Sequence, residues 1–569
     1  MSSEAEARAA AEAASLAAVL SDLGVPAHHV RSARARAEAT GEPLTSILLD
    51  YGFLSPERTA MAIARLSRGY GYFSWQDAEA IDAGELERLG LRLGRFSGYA
   101  PVGLDSDGAL VVAVPEPAAS VSAANELRGR RLRFVIASRR TIERVYRRFF
   151  ADTGRQIDEA LARARGQGRG AEADGPETLR DVLGSLLRHA CYSEASDLYF
   201  HSTGRVGVAK MSVDGVSRLL RVLPPELYGR LLNRIAMDAR IREEDLRQGL
   251  REGELDFGGR EQAGPYADLL DRYSFRLELG LAKSGPTAVV RILDRQAETA
   301  ELDALGFDAT TAWRLRRYAR TGHGLVLITG PTGSGKTTTL YAMLKEIDPE
   351  AVSVQSIEFP VEYRHGLWMQ YEIPSIARDE GEEMGRRLKG LLRNAPNVIL
   401  IGEIRDEGVA RTTLDAAHTG HLVFSTLHTN SAAGALLRLR RLGVPGEDLG
   451  EALLGILAQR LARRLCERCK VPDSRPGTQA LLGGAAAFRA RDGGCPACAG
   501  AGYRGRIPIY ELLHVNGKVR GLIERGAPVI EIEREAIGAE GSMWAMGLKL
   551  VAGGETSVDE LLRVARPDD

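Results

Sequence analysis

Four short apolar runs in the second half of the chain predict buried strands. The first, GLVLIT, covers Gly324 to Thr329 and is rich in β-branched residues. The others are the run that ends at Glu358, the run VILI within NVILIGEIRD, and the run LVFST after His421. A helical pattern, TTLYAMLKEI, follows the first run from Thr338. We therefore expect an α/β fold in which these runs form a parallel sheet.

The first part of the chain carries shorter patterns of both kinds. Leu16 to Phe150 has the pattern of one small mixed domain. Strands are predicted at 109–117 and 132–138, and a basic amphipathic helix, TIERVYRRFF, closes the domain. No catalytic constellation occurs here, which favours a docking or regulatory module.

A change of composition separates this domain from the next. Residues 151–177 are rich in Gly, Ala and charges without an apolar period, which predicts a flexible linker and an N-terminal domain that moves. Glu177 to Ala190 predicts an amphipathic helix, and strands are predicted at 275–283 and 287–295. An α+β domain is therefore expected before the apolar runs.

Length and charge limit the class of protein. At 569 residues the chain is too long for one core, which favours three or four domains. The net charge of −1 gives no overall field for nucleic acid or an anionic membrane. The acidic, Ala-rich start lacks the basic region of a secretory signal, and no apolar run is long enough to span a bilayer. We therefore expect a cytosolic protein.

The segment after the first apolar run matches the P-loop pattern G-x-x-x-x-G-K-[ST] at every position. Its glycines let backbone N–H groups point at phosphate oxygens. Lys336 would reach the β- and γ-phosphates of ATP, and the Thr337 hydroxyl would ligate Mg²⁺. A Gly-rich turn that matches by chance is the alternative, but a strand before and a helix after favour a nucleotide site. Its predicted residues are Gly330, Pro331, Thr332, Gly333, Ser334, Gly335, Lys336, Thr337 and Thr338.

Carboxylates and a histidine follow the other three runs. Glu358 ends one run and Glu362 follows it, Glu403 follows the next run, and His428 follows LVFST. Ligands bind at the carboxyl ends of parallel strands, where a carboxylate can hold Mg²⁺ through water or polarise the attacking water. Histidines at strand ends are more often plain hydrogen-bonding residues. The convergence of three strand ends nevertheless favours functional roles for Glu362, Glu403 and His428.

Four of the five cysteines form two C-x-x-C pairs, Cys466 with Cys469 and Cys495 with Cys498. Four thiolates satisfy a closed tetrahedral Zn²⁺ site, and the interval between the pairs is compatible with a zinc ribbon. With no open coordination position, the zinc would be structural. A redox role fits poorly because two such pairs rarely occur together for that purpose. The fifth, Cys191, is predicted to be a packing residue.

Together these motifs resemble those of the secretion ATPases of type II secretion and type IV pilus assembly machines. The segments that carry the resemblance are GPTGSGKTTTLYAML, SIEFPVEY, VILIGEIRD and AAHTGHLVFSTLHTNSAAGALLRL, and it runs from about Glu177 to the C-terminus. It implies a RecA-like ATPase domain preceded by a PAS-like domain, assembled as a homo-hexamer. The implied activity is Mg²⁺-ATP hydrolysis that powers pilin or pseudopilin assembly at the cytoplasmic face of the inner membrane. The flanks of the cysteine pairs are similar to the assembly and secretion branch rather than to the retraction motors.

The resemblance also implies roles for single residues. Glu362 matches the general base of the family's acidic box, whose other glutamate is Glu358. Glu403 matches the second metal-site motif, and His421 and His428 match the histidine box.

Two arginines lie on the strands predicted before the P-loop. Arg276 and Arg291 would ordinarily lie on solvated faces. A guanidinium can hold phosphate bidentately, which suggests γ-phosphate sensing across a domain or subunit boundary. The resemblance implies the same, since arginines at matching positions reach the nucleotide in this family.

The expected organisation follows from these assignments. It comprises an N-terminal docking or regulatory domain (1–150), the linker (151–177), the PAS-like α+β domain (178–300), the RecA-like domain (301–460), the zinc module (461–515) and a C-terminal helical region (516–569).

Three acidic positions of the family are replaced in this chain. Phe359 stands where the acidic box usually has an aspartate, and Ala395 and Asn397 replace the two aspartates of the R-x-D-P-D segment upstream of GEIRD. We still expect hydrolysis, with weaker Mg²⁺ binding or slower turnover. A nucleotide-binding assembly scaffold with weak hydrolysis is the alternative. A nucleic-acid translocase is disfavoured, because no basic surface interleaved with aromatic residues stands out.

The N-terminal domain looks like the family's N-terminal domain, which binds cyclic di-GMP in some members. Their motif resembles R-L-G-x-x-L-V-x-x-G, whereas this chain has Pro43 to Gly52 without the arginine and the first glycine. We therefore expect no cyclic di-GMP binding. The expected role is docking to an inner-membrane platform protein, which makes the chain peripheral to the membrane. Type II secretion and pilus assembly remain alternatives.

Overall fold

The computed structural model describes residues 16–81, 83–91, 93, 96–166, 176–241, 251–257, 259, 263–295, 301–373, 380–498 and 500–567. The chain forms two compact units. The N-terminal unit comprises residues 1–213 and 217–293, and the C-terminal unit comprises residues 214–216 and 294–569. Among the described residues, no helix is both long and apolar enough to cross a membrane.

The N-terminal unit begins with a small mixed sheet in the order β1-β4-β3-β2, in which only β2 runs antiparallel to its neighbour. Its strands are β1 (Gly71–Tyr72), β2 (Ala100–Leu104), β3 (Leu110–Val114) and β4 (Leu132–Ile136). Its helices are α1 (Ala27–Thr40), α2 (Leu44–Asp50), α3 (Pro56–Leu66), α4 (Trp75–Ala80), α5 (Ala83–Arg88), α6 (Ala119–Glu126) and α7 (Arg139–Phe149). The two predicted strands and the basic helix are thus confirmed as β3, β4 and α7.

The prediction of a flexible linker at 151–177 is wrong for the first half of that range. Residues Thr153–Gly166 form a helix, α8, which packs on α9 (Pro176–Tyr192). Its buried residues Ile157, Ala160, Leu161 and Ala164 recur at helical spacing. Two of the four are alanines, so the apolar stripe was hard to recognise in the sequence. Residues 167–175 of the predicted linker lie outside the described residues.

Helix α7 also ties the small sheet to the rest of its unit. Arg147 donates to the Tyr273 hydroxyl at 2.9 Å, and Arg144 donates to Glu194 at 3.1 Å. Glu143 on the same helix pairs with Arg272. The predicted movement of the N-terminal domain against residues 178–293 therefore finds no support in these contacts.

The second part of the N-terminal unit is an α+β domain, as predicted. Its six strands lie in the order β7-β6-β5-β10-β9-β8. They are β5 (Asp197–Ser202), β6 (Gly207–Val213), β7 (Val216–Leu223), β8 (Arg251–Glu254), β9 (Tyr273–Ala282) and β10 (Gly285–Asp294). Helices α10 (Pro225–Asp238) and α11 (Ala267–Arg272) accompany α9, whose buried residues include Cys191. The PAS-like assignment stays a prediction.

The C-terminal unit is built on a seven-stranded sheet in the order β13-β12-β14-β15-β11-β16-β19. All neighbours are parallel except β16 and β19. The strands are β11 (Gly324–Thr329), β12 (Val354–Glu358), β13 (Met369–Glu372), β14 (Val398–Ile401), β15 (Leu422–Leu427), β16 (Leu453–Leu465) and β19 (Tyr503–His514). All residues of β11, β12, β14 and β15 are buried. The four predicted apolar runs are confirmed as these strands.

Helices cover this sheet, and a small hairpin follows β16. The helices are α12 (Ala309–Ala319), α13 (Lys336–Leu344), α14 (Glu380–Leu391), α15 (Glu407–His418), α16 (Ala432–Arg441), α17 (Gly446–Ala452), α18 (Pro476–Leu481), α19 (Gly517–Glu524), α20 (Val529–Ala536), α21 (Met543–Ala552) and α22 (Val558–Val564). The hairpin pairs β17 (Val471–Pro472) with β18 (Phe488–Arg489). The described chain is therefore a mixed α/β fold with its P-loop on a central strand.

Candidate nucleotide site

The strand register places the predicted polar residues at one edge of the C-terminal sheet. Thr329 lies beside Leu427, and Ile401 lies between Ile357 and Ser425. Strands β11, β12, β14 and β15 therefore end nearly level with one another. The residues at or just after these ends, including Glu358, Glu403 and His428, lie at the same edge of the sheet as the P-loop, as expected for parallel strands.

The glycines of the P-loop are required by its backbone and by its surroundings. Gly333 and Gly335 have φ values of 77° and 86°, a left-handed conformation that favours glycine. A Cβ atom on Gly330 would stand 2.3 Å from the backbone carbonyl of Gln459 and 2.6 Å from the Ser334 hydroxyl. The backbone can therefore come close to its neighbours here, as a phosphate cradle needs.

Lys336 is folded back onto the loop that precedes it. Its Nζ donates to the carbonyl oxygens of Gly330 at 2.9 Å and Pro331 at 3.1 Å. Burial lowers the pKa of the Lys336 ammonium, while the charges of Glu403 and Glu362 oppose that shift. Both carboxylates thus lie within electrostatic reach of the lysine. A phosphate group could replace the two carbonyls as its partner.

The donor set of the loop fits a nucleotide. The Ser334 hydroxyl is buried and has no hydrogen-bond partner among the described residues. The loop leads directly into the N-terminus of α13, where free N–H groups attract anions. Thr337 in the first turn and the nearby carboxylates supply oxygen ligands of the kind that Mg²⁺ prefers. These residues therefore fit ATP with Mg²⁺.

Glu403 stands at the centre of a small charged group. It accepts from Arg405 Nε at 3.0 Å, and its other carboxylate oxygen lies 3.5 Å from His428 Nε2. Burial and the charge of Lys336 lower the pKa of His428, although the charge of Glu403 acts to raise it. His428 is therefore neutral at neutral pH and can either donate or accept a hydrogen bond.

Glu358 is held in a buried polar network at the end of β12. It accepts hydrogen bonds from Tyr341 of α13 and from Ser356, each at 2.7 Å. Burial raises the pKa of Glu358 to about 7, and the charge of Glu362 adds to this, while the hydrogen bonds from Ser356 and Tyr341 act against it. Glu362 itself lies on the exposed loop that follows β12.

Other sequence-predicted residues are not brought to this edge. His421 precedes β15, so it lies at the opposite end of a six-residue strand, about 20 Å from His428. Its Nδ1 lies 2.8 Å from the carbonyl oxygen of Ala416. Arg276 and Arg291 belong to the N-terminal unit, where Arg291 donates to Asp197 at 3.1 Å. Nucleotide contacts by the two arginines stay a prediction.

Two of the replaced acidic positions, Asn397 and Phe359, have different surroundings. Asn397 precedes β14, at the strand end away from Glu403, and its Oδ1 accepts from the backbone N–H of Ser353 at 2.8 Å. The expectation that Asn397 weakens Mg²⁺ binding is therefore wrong for the nucleotide site of its own unit. Phe359 directly follows β12 and packs against the hydrophobic core of the sheet. This position does depart from the family's acidic box beside the nucleotide site.

One residue that contacts the loop was missed in the sequence. Gln459 lies in the middle of β16, beside β11, and is buried. Its Nε2 donates to the Ser334 carbonyl at 2.7 Å, and its Oε1 accepts from Thr339 at 2.9 Å. A lone glutamine within the apolar run LLGILAQRL was the available signal, because a buried amide needs partners.

The four cysteines of the two C-x-x-C pairs come together, as predicted. Their sulfur atoms all lie within 4.8 Å of one another, and three of the pairwise distances are 3.8 Å. A tetrahedral site with Zn–S bonds of about 2.3 Å has sulfur atoms about 3.8 Å apart, so the cluster fits zinc. Burial acts against the ionisation of Cys498, but the N–H groups of Cys495 and Gly502 lower its pKa to about 7. The four thiols fit a closed, structural site.

Known proteins are similar to this chain over more than two thirds of its length. Residues 172–563 match the family described as "Type II/IV secretion system protein". The chain is 36% identical over 403 residues to the type II secretion system protein HxcR of Pseudomonas aeruginosa, covering 69% of this chain and 78% of that protein. It is 34% identical over 410 residues to the type II secretion system ATPase E of Vibrio cholerae, covering 70% of this chain and 76% of that protein. It is 31% identical over 540 residues to the type IV pilus assembly ATPase PilB of Thermus thermophilus, covering 87% of this chain and 56% of that protein.

The family match covers more than half of the chain and includes every residue of the P-loop and of the four-cysteine cluster. It agrees with the resemblance found in the sequence motifs. The chain is therefore an ATPase and belongs to the type II/IV secretion system protein family.

Proposed function

We propose that this chain is a hexameric motor that hydrolyses Mg²⁺-ATP to drive pilin or pseudopilin assembly at the cytoplasmic face of the inner membrane. The observation that carries the proposal is the meeting of Lys336 with Glu403 and His428 at one edge of the sheet. P-loop ATPases act mainly by positioning and charge stabilisation, and this edge supplies both. The relatives named above act in type II secretion and in pilus assembly, so both machines remain candidates.

Four residues of this region, Lys336, Thr337, Glu362 and Glu403, have a proposed task. Lys336 leaves the carbonyls of Gly330 and Pro331 and binds the β- and γ-phosphates, while the loop N–H groups hold the phosphate oxygens. Thr337 would hold Mg²⁺, whose contribution when bound is to neutralise charge on the phosphates. Glu362 acts as general base for the attacking water, and Glu403, fixed by Arg405, orients the water and the metal ligands.

The proposed assembly completes the site. Arg276 and Arg291 would sense the γ-phosphate across a subunit or domain boundary, and His421, which lies away from its own chain's P-loop, would act in the histidine box of the assembled hexamer. Arg291 is 54% exposed and holds one carboxylate, so its guanidinium has further N–H groups for phosphate.

The N-terminal domain is proposed to dock onto an inner-membrane platform protein. The match to PilB covers 87% of this chain and so reaches well beyond residues 172–563 into that domain. The segment Pro43 to Gly52 lacks the arginine of the cyclic di-GMP motif, and Ile47 and Leu48 within it are fully buried. We therefore propose docking without cyclic di-GMP.

The test uses the purified full chain. Steady-state phosphate release with Mg²⁺-ATP should be clear above background, and light scattering coupled to size-exclusion chromatography should give the mass of six chains. Phosphate release no faster than that of a Lys336→Met variant would favour the second candidate, a nucleotide-binding scaffold with weak hydrolysis. That candidate is suggested by Phe359, which places an aromatic side chain where an acidic one is usual.

A further inference from the structure

Gln459 contacts the P-loop region at three places. Its amide donates to the Ser334 carbonyl at 2.7 Å and accepts from the Thr339 hydroxyl at 2.9 Å. Its backbone carbonyl occupies the space into which a side chain on Gly330 would project. One residue of the neighbouring strand therefore lies against the start of the loop, its last turn and the helix that follows.

The first of these hydrogen bonds fixes the direction of a phosphate-binding group. In a planar trans peptide the C=O and the N–H point in opposite directions. Because Gln459 holds the carbonyl of Ser334, the N–H of Gly335 must point away from Gln459. In a P-loop this N–H belongs to the set that faces the phosphates. A rotation of the Ser334–Gly335 peptide would turn that donor out of the cradle.

The strand that carries Gln459 is a firm support. Strand β16 pairs with β11 on one side and with β19 on the other, where Gln459 lies opposite Tyr510. The side chain is 1% exposed, and the described partners satisfy both atoms of its amide. A buried amide in this setting has no low-energy alternative orientation, since leaving either atom unpaired is costly.

We propose that Gln459 is a positioning residue for nucleotide binding, which keeps the Ser334–Gly335 peptide and the first turn of α13 in their phosphate-binding arrangement. Gln459 acts through the loop and touches no reacting atom. The inference rests on ATP binding at the P-loop. It predicts that the loss of Gln459 weakens the ground-state binding of ATP and ADP more than it slows the chemical step.

The test compares two buried glutamines of the same sheet. Gln459→Met keeps the volume of the side chain and removes both hydrogen bonds. Gln355→Met does the same on β12, where Gln355 is fully buried and donates to Asn394 and Ser353, away from the loop. Titration of the full chain with a fluorescent ribose-labelled ADP gives the Kd. Phosphate release gives KM and kcat, and a thermal melt without nucleotide gives the stability.

We expect Gln459→Met to raise the Kd and the KM about tenfold, with kcat changed less than about threefold. Gln355→Met should leave the Kd unchanged, because its hydrogen bonds lie away from the loop. If Gln459→Met binds labelled ADP as the parent does and only melts earlier, Gln459 is a structural residue and the inference is overturned. If the parent itself binds no ADP or ATP, both this inference and the proposed function fail.

A second pair of variants covers the case in which Gln459→Met does not fold. Thr339→Val removes the hydroxyl that donates to Gln459 but keeps its shape, and Thr339→Ser restores that hydroxyl. The valine variant should raise the Kd about threefold, and the serine variant should return it to the parental value. Equal Kd values for the parent and both variants would overturn the inference.

Discussion

The Tyr341 hydroxyl lies 2.7 Å from both carboxylate oxygens of Glu358, and both side chains are buried. Tyr341 belongs to the helix that the P-loop begins, whereas Glu358 ends the strand β12. The pair therefore joins the nucleotide-binding helix to the acidic edge of the sheet. Because burial raises the pKa of Glu358 to about 7, the charge of this pair changes close to neutral pH.

The first prediction concerns stability and pH. Between the ordinary glutamate pKa of 4.5 and the folded value of about 7, the native chain binds more protons than the unfolded chain. The stabilising contribution of Glu358 to the folded chain is therefore fully present below pH 4.5. It is lost as the pH rises through about 7. From about pH 4 to about pH 8 the free energy of unfolding should fall by about 3 kcal/mol relative to that of Glu358→Gln.

Thermal melts of the parent and Glu358→Gln across this pH range measure the difference. Tyr341→Phe is the matched control, because the Tyr341 hydrogen bond lowers the pKa of Glu358 and its loss should move the transition to higher pH. If the difference in stability between the parent and Glu358→Gln stays constant with pH, the raised pKa of Glu358 is contradicted.

The second prediction separates binding from stability at Lys336. Among the described residues, its ammonium donates to the carbonyl oxygens of Gly330 and Pro331, and burial lowers its pKa. Lys336→Met should therefore abolish measurable ADP binding and leave the melting temperature of the nucleotide-free chain unchanged or higher. Lys389→Met, an exposed change on α14, should alter neither quantity. A large fall in melting temperature for Lys336→Met would show that the lysine is needed for folding.

The P-loop and the strand-end carboxylates were predictable because their signals are local. A glycine pattern dictates the loop conformation, and a polar residue after an apolar run marks a strand end. The pairing of the cysteines also follows from short spacings. Helix α8 was missed because Ala160 and Ala164 give a weak apolar stripe among glycines and charges.

Relationships that depend on strand order were not predictable from the sequence. Gln459 contacts Ser334 only because β16 enters the sheet beside β11, although the two residues are 125 positions apart. His421 and His428 were grouped because they flank one apolar run. A strand separates them, however, and a parallel strand has its two ends at opposite edges of the sheet.

The third prediction tests the role of Glu403. Glu403→Gln keeps the size of the side chain but removes the charge that holds Arg405 and faces His428. We expect kcat to fall about 100-fold while the Kd for ADP changes little, because the carboxylate acts on the attacking water and the metal ligands. Steady-state phosphate release and labelled-ADP titration measure the two quantities. Glu407→Gln is the control, since Glu407 is exposed and pairs with Arg411 on the surface of α15. Hydrolysis at the parental rate in Glu403→Gln would remove Glu403 from the proposed mechanism.

The last prediction concerns the four-cysteine cluster. Cys498 accepts N–H bonds from Cys495 and Gly502, and its sulfur lies 3.8 Å from those of Cys469 and Cys495. Cys498→Ser should therefore lose the metal and lower the melting temperature by about 5 °C or more, because a bound structural ion stabilises only the folded chain.

Elemental analysis of protein purified without chelator should find one zinc per parent chain and close to none in Cys498→Ser. Cys191→Ala is the control, since Cys191 is buried in the N-terminal unit outside the cluster and its loss should leave the zinc content unchanged. Since β16 ends at Leu465 and Cys466 follows directly, loss of the ion should loosen the end of the strand that carries Gln459. Parent protein without zinc that melts at the same temperature with and without added zinc would contradict a structural site.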